Sequence, residues 1–192
     1  METVTAQPVG REPVVFGHAL EALLAAAEPL TPTLHAGLER LGLSARRPLH
    51  AAYPYPVWPE AIRLLAGTED SQFALGQRYL ERIRQSKVGA ALHDFAKAVG
   101  AERMLLRMSR NIRSTNNVLD AVVTPRSEDA GWELLVRPLA EFAHTPDLRA
   151  EPPHFVRGLL TTAFQNFGSV NARVELIRHD AARASSTFHV ML

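Results

Sequence analysis

The run Arg103-Met-Leu-Leu-Arg107-Met-Ser-Arg110-Asn-Ile-Arg113-Ser-Thr-Asn116-Asn117 gathers the side chains best equipped to bind something. At helical spacing Arg103, Arg107 and Arg110 share a face, and no Asp or Glu falls between Glu102 and Asp120. A guanidinium is a planar fork that matches carboxylate and phosphate. Arg110, Arg113, Asn116 and Asn117 are therefore the candidate ligand- or partner-binding residues, suited to an anion or an acidic partner. The plainer alternative is a solvated helix face ending in a turn whose asparagines bond to backbone groups. Counter-charges separate the two. Glu81 or Asp94 paired with Arg107 and Arg110 would make the stripe structural; Arg110 and Arg113 exposed beside both asparagines would make it a recognition surface.

Other chemistry is harder to assemble. Eight histidines (18, 35, 50, 93, 144, 154, 179 and 189) are scattered, and no two stand at the i,i+3 or i,i+4 spacing that aims both at one metal. His18 and His93 fall in amphipathic segments and are read as structural, like the rest. The chain lacks a nucleophile elbow, a Walker A loop, a dinucleotide fingerprint and a paired-histidine zinc helix. With no cysteine, disulfides, thiolate metal sites and a cysteine nucleophile are excluded. No catalytic residue, metal ligand or cofactor is assigned. The alternative reading is an enzyme with a noncovalent acid–base site near Arg113, Asn116 and Asn117, using a neighbouring histidine; its activity would be lost on His93→Ala.

The elements that must position these residues follow from periodicity and punctuation. Phe16, Leu20, Leu23, Leu24 and Ala27 predict a helix that stops before Pro29, and Thr31-Pro32 reads as N-cap and first turn of the next, closed by Gly42. Four prolines between Pro48 and Pro59 predict an ordered loop or extended run into a short helix at 59–66. Tyr53, Tyr55 and Trp58 there could form a docking surface, but a loop with few ladder bonds needs anchors, and we read them so. Helices follow from Asp70, over 88–99 and over 101–110. Gly76, costly inside a helix, marks a close crossing. Leu119/Ala121/Val123 and Trp132/Leu134/Val136 alternate as strands, Phe155 to Phe167 reads as a helix, and a second hairpin turns at Asp180–Arg183. Phe73, Leu80, Phe95, Leu159, Val174 and Phe188 are the expected core.

The fold class is α+β: a helical half over about 14–112 packed on an antiparallel β-β-α-β-β half over about 113–192, as a single domain after a flexible tail, 1–13. Across 192 residues, Lys+Arg 21 against Asp+Glu 20 and 46% hydrophobic residues exclude a disordered chain and argue against nucleic acid as partner. No signal peptide or apolar span is read, so no membrane partner and a cytoplasmic location are expected.

Four stretches stand out together: Ala52-Tyr-Pro-Tyr-Pro-Val-Trp58, Leu75-Gly-Gln77 with Val88-Gly89, Arg110-Asn-Ile-Arg113-Ser-Thr-Asn116-Asn117, and Phe155-Val-Arg-Gly158-Leu-Leu. In them the chain resembles a family of paralogous myxobacterial proteins of unknown function. More remotely, the element order is similar to haem–nitric-oxide-binding domains and vinyl-reductase-type ligand domains. A haem would call for an axial histidine, for which only His93 is suitably placed, and a Tyr-x-Ser-x-Arg clamp that Trp132-Glu-Leu-Leu-Val-Arg137 lacks. The expected function is a non-enzymatic regulatory or interaction domain that binds a small apolar ligand between helices and sheet, or a protein partner. A homodimer is compatible with it.

Overall fold

The computed structural model describes residues 11–44, 47–85, 94, 98–127, 131–145 and 148–192. The expected helix over 88–99, with His93 and Phe95, lies almost wholly outside the described residues. Val14–Phe16 (β1) leads into Gly17–Ala27 (α1), and Pro32–Arg40 (α2) starts where Thr31 Oγ1 accepts from the Leu34 N–H at 3.3 Å. Gly42 takes a positive φ of 78°, which releases the chain from α2.

The proline-aromatic segment is more ordered than a loop. Ala52–Pro54 (β2) pairs antiparallel with β1, and Val57–Leu65 (α3) starts two residues before the expected 59. Pro59 falls in the first turn, where its missing N–H costs nothing. Tyr53, Tyr55 and Trp58 are all buried, so the segment is held down by its rings as anticipated.

Glu69–Gln85 (α4) is the long helix of the first half. Its apolar stripe is phased differently from the expected one. Leu75, Gly76 and Tyr79 are buried, whereas Phe73 and Leu80 are only half-buried. Phe73 lies under the Arg157 guanidinium, 4.9 Å from its ring centroid. The phase is fixed by Gly76, whose face must sit against another backbone. The expected helix over 101–110 is two short ones, Ala101–Leu106 (α5) and Met108–Ile112 (α6), broken at Arg107. Helical spacing therefore does not carry Arg103 and Arg107 onto one face with Arg110.

The second half follows the expected order: Leu119–Pro125 (β3), Trp132–Pro138 (β4), Pro153–Asn166 (α7), Arg173–Asp180 (β5) and Ser185–Met191 (β6). The strands form an antiparallel sheet in the order β3-β4-β6-β5. Register aligns apolar residues across it: Val123, Leu134, Phe188 and Leu176 make one cross-strand row, and Trp132, Val190 and Val174 another. Leu134, Phe188, Val174 and Val190 are buried, while Leu159 is half-buried against the same cluster. The fold is thus α+β, a helical N-terminal half on a C-terminal sheet, with α7 crossing back onto α4. No described helix is long and apolar enough to cross a membrane.

Candidate functional site

Between α4, α5, α6, α7 and the inner face of β4 lies a cavity of about 220 Å³. Its wall is built by periodicity. Leu80 and Ile83 come from α4, Met104 and Met108 from α5 and α6, Leu134 and Val136 from alternate positions of β4, and Phe155, Leu160 and Phe164 from α7. Leu80 and Leu159, expected as core, are here cavity wall. Methionine thioethers beside branched aliphatics and rings make a soft, adaptable lining.

The polar wall groups divide into two sets. One set is already committed: Arg84 makes two bonds to Glu81 Oε2 at 3.0 and 2.7 Å, and Asn166 Nδ2 donates to Glu81 Oε1 at 3.2 Å. Ser114 Oγ and Thr115 Oγ1 donate to backbone carbonyls of Asn111 and Ile112 at 2.6 and 2.8 Å. The other set is Trp58, Tyr79 and Glu151, which stand together on the wall. The three-ring cluster Trp58, Tyr79 and Phe155 has centroids 5.4–5.7 Å apart. Trp58 Nε1–H donates to Glu151 Oε1, and the Tyr79 hydroxyl is buried with no partner among the described residues. Burial pushes the Glu151 carboxyl up to about 7, against the smaller opposing pull of the Trp58 hydrogen bond. Burial, then the nearby Glu151, pushes Tyr79 up as well, so it stays protonated. Glu151 was not singled out by the sequence; it sits in a polar, proline-bearing stretch that reads as solvent-facing loop.

Of the four residues chosen from sequence only Asn116 lines this cavity, and the four do different jobs. Asn116 is buried; its Oδ1 accepts from the N–H groups of Val118 and Leu119 at 2.9 and 2.7 Å, and Nδ2 donates to Ile112 O at 3.4 Å. Asn117 ties the start of the chain down: Oδ1 accepts from the Val14 N–H and Nδ2 donates to Glu12 O, both at 2.8 Å. Arg113 is exposed and 3.1 Å from Asp120 Oδ1. Burial raises the Asp120 pKa, but hydrogen bonds from Ser109 and the Ala121 N–H and the Arg113 charge outweigh it, leaving the carboxyl below its ordinary range. Arg110 is exposed. Glu81, a proposed counter-charge for the stripe, is instead engaged by Arg84 and Asn166.

Among solved structures the chain is similar to an oxygen-binding H-NOX domain related to soluble guanylate cyclases, in its oxygen complex. That likeness has a TM-score of 0.57 at 12% identity, over 91% of this chain and 92% of that one. A structure concerned with tuning haem redox potential by porphyrin distortion matches with a TM-score of 0.56 at 12% identity, over 91% and 97%. A third, on H-NOX activation, matches with a TM-score of 0.54 at 10% identity, over 91% and 94%. At such identities the likeness is one of fold.

The fold therefore raises haem, and the described wall does not suit it. No histidine is among the described residues lining the cavity, and no described cluster of His, Asp and Glu could hold a metal. The inward positions of β4 are Leu134 and Val136, which offer a propionate nothing. Haemin added to the purified protein is expected to give no stoichiometric Soret shift dependent on His93. A one-to-one complex abolished by His93→Ala would contradict this.

No curated protein matches the chain. A family model does, over residues 13–191, and its description is a protein of unknown function, DUF2378. Nearly the whole sequence, including every element of the cavity, is thus covered, and the chain belongs to the DUF2378 family.

Proposed function

We propose that this chain is a non-enzymatic regulatory domain that takes a small apolar ligand into the cavity between helices and sheet. The observation that carries the reading is the cavity itself: about 220 Å³, walled mainly by aliphatic, aromatic and methionine side chains. An apolar cavity of roughly 150 Å³ stays dry and accepts benzene, so this one has room for a one- or two-ring molecule. The wall draws on both halves of the chain, so a ligand would couple the packing of α4 and α7 to that of the sheet, which suits a sensor. The test is thermal unfolding with naphthalene as probe. Saturating naphthalene should raise the midpoint, as any ligand specific to the native state must. Leu159→Trp, which fills the cavity from α7, should remove that rise. No shift with naphthalene would overturn the reading.

A second reading keeps Arg110 and Arg113 as a docking surface for an acidic protein partner, supported by their exposure and by an open cleft that Arg113 and Asn117 share with Arg11. Arg110→Ala with Arg113→Ala is expected to leave the thermal midpoint nearly unchanged, since exposed charges contribute little. Asn116→Ala is expected to cost about 1–3 kcal/mol in urea unfolding, because two buried N–H groups lose their acceptor. A double arginine variant that unfolds would remove the docking reading.

A further inference from the structure

The inference rests on the ligand reading above and concerns what kind of ligand fits. We infer that the ligand carries a hydroxyl, as an alcohol or phenol, held at the Tyr79–Glu151 end of the cavity. Two observations point there. The Tyr79 hydroxyl is buried on a residue of the cavity wall and has no partner among the described residues. Beside it, the Glu151 carboxyl is on the same wall, and the bond it receives from Trp58 Nε1–H goes to Oε1. A buried hydroxyl without a partner is costly, and such groups in native proteins call for an explanation. Arg84, Ser114, Thr115, Asn116 and Asn166, other polar residues of the wall, already bond within the protein. Of the buried side-chain polar atoms without a partner among the described residues, only the Tyr79 hydroxyl belongs to the cavity wall.

The chemistry of that end selects the head group. Tyr79 offers a donor at every pH near neutrality. Glu151 changes state near neutral pH, being an acid below and a carboxylate above. The groups that surround it do not override this. Tyr55, ahead of α3, and Tyr79, on α4, remain protonated; the Arg63 guanidinium donates to Ala150 O at 2.7 Å; and His154, on α7, faces Glu69 at 3.4 Å. A carbonyl can only accept, so it pairs with Glu151 only when the acid is protonated. An ammonium can only donate, so it needs the carboxylate. A hydroxyl accepts from Tyr79 while donating to the carboxylate, and accepts from the acid form as well, so it is satisfied in both states.

The experiment compares 2-naphthol, naphthalene and 2-naphthaldehyde by calorimetric titration at pH 6 and pH 8, on wild type and on Tyr79→Phe. The variant removes an unpartnered hydroxyl and keeps the ring, so it should fold at least as well. In wild type, 2-naphthol should bind roughly tenfold or more tightly than naphthalene, with affinities at the two pH values within about twofold. Tyr79→Phe should abolish that preference and leave naphthalene unchanged. Equal binding of naphthol and naphthalene by wild type would overturn the hydroxyl assignment while the cavity reading stands. So would a tighter aldehyde whose affinity falls as pH rises, or a naphthol preference that survives in Tyr79→Phe. Failure of all three probes to bind would overturn the cavity reading itself.

Discussion

Alanine at Gly76 or at Gly158 is expected to cost about 3 kcal/mol or more in urea unfolding, the upper range for overpacking. These two glycines are where α4 and α7 cross. A Cβ on Gly76 would stand 2.1 Å from the Phe155 carbonyl oxygen, and one on Gly158 would stand 2.0 Å from that of Phe73. Both obstacles are backbone, so no side-chain rotamer relieves them and the helices must move apart. That movement would open the α4–α7 wall of the cavity and pull Phe155 away from Trp58 and Tyr79. The double variant should cost less than the sum of the two, because one displacement relieves both clashes. Gly67→Ala is the control: nothing lies within 4 Å of its Cβ position, and a change within about 0.5 kcal/mol is expected. A loss below about 1 kcal/mol at Gly76 would show that the crossing is looser than described.

The second large effect is one of pH. Glu151 ionises near its ordinary value of 4.5 in the unfolded chain but at about 7 in the folded protein. Between those values the unfolded chain gives up a proton that the native state keeps. Wild type should therefore be most stable, as far as this group is concerned, below about pH 4.5. It should lose stability up to about pH 7 and then level off, with a total loss of about 3 kcal/mol from this group. Glu151→Gln keeps an oxygen for the Trp58 N–H but cannot ionise. The variant should match wild type at pH 4, within about 0.5 kcal/mol, and exceed it by about 3 kcal/mol at pH 8. A variant less stable than wild type at pH 8 would mean that the carboxylate is stabilised by something other than Trp58.

Much of the fold is legible in the sequence because its signals are local. Thr31-Pro32 caps and starts a helix within four residues, Gly42 and Gly168 end helices by positive φ, and Asp180 Oδ1 closes its own turn on the Arg183 N–H. Alternation alone picks out the inner faces of β4 and β6. What the sequence hides depends on distant partners. The pairing of Ala52–Pro54 with Val14–Phe16 joins segments far apart in the chain, and nothing within either one announces it. The phase of the α4 stripe is set by the α7 backbone at Gly76, so Leu75 and Tyr79 take the buried places that spacing assigned to Phe73 and Leu80.

The site shows the same division. The type and spacing of Asn116 and Asn117 suit an anion pocket and a backbone clamp equally, and only the positions of Val14, Val118 and Leu119 decide how their amides are spent. Glu151 looks like any loop glutamate until Trp58, 93 residues earlier in the chain but adjacent in space, is found donating to it. A usable signal did exist: a buried Trp or Tyr needs a partner for its polar edge, and that requirement points from Trp58 and Tyr79 toward a hidden acceptor.

The central claim is that a small apolar molecule enters the cavity between α4, α5, α6, α7 and β4. Methyl-detected NMR on the purified protein during a naphthalene titration tests it most directly. The account predicts saturable shifts and ring-to-methyl contacts at Leu80, Ile83, Met104, Met108, Leu134 and Val136, which line the cavity, with Leu38 and Leu43, buried away from it, unmoved. Absence of shifts at the cavity methyls, or contacts at Leu38 and Leu43 in their place, would contradict it.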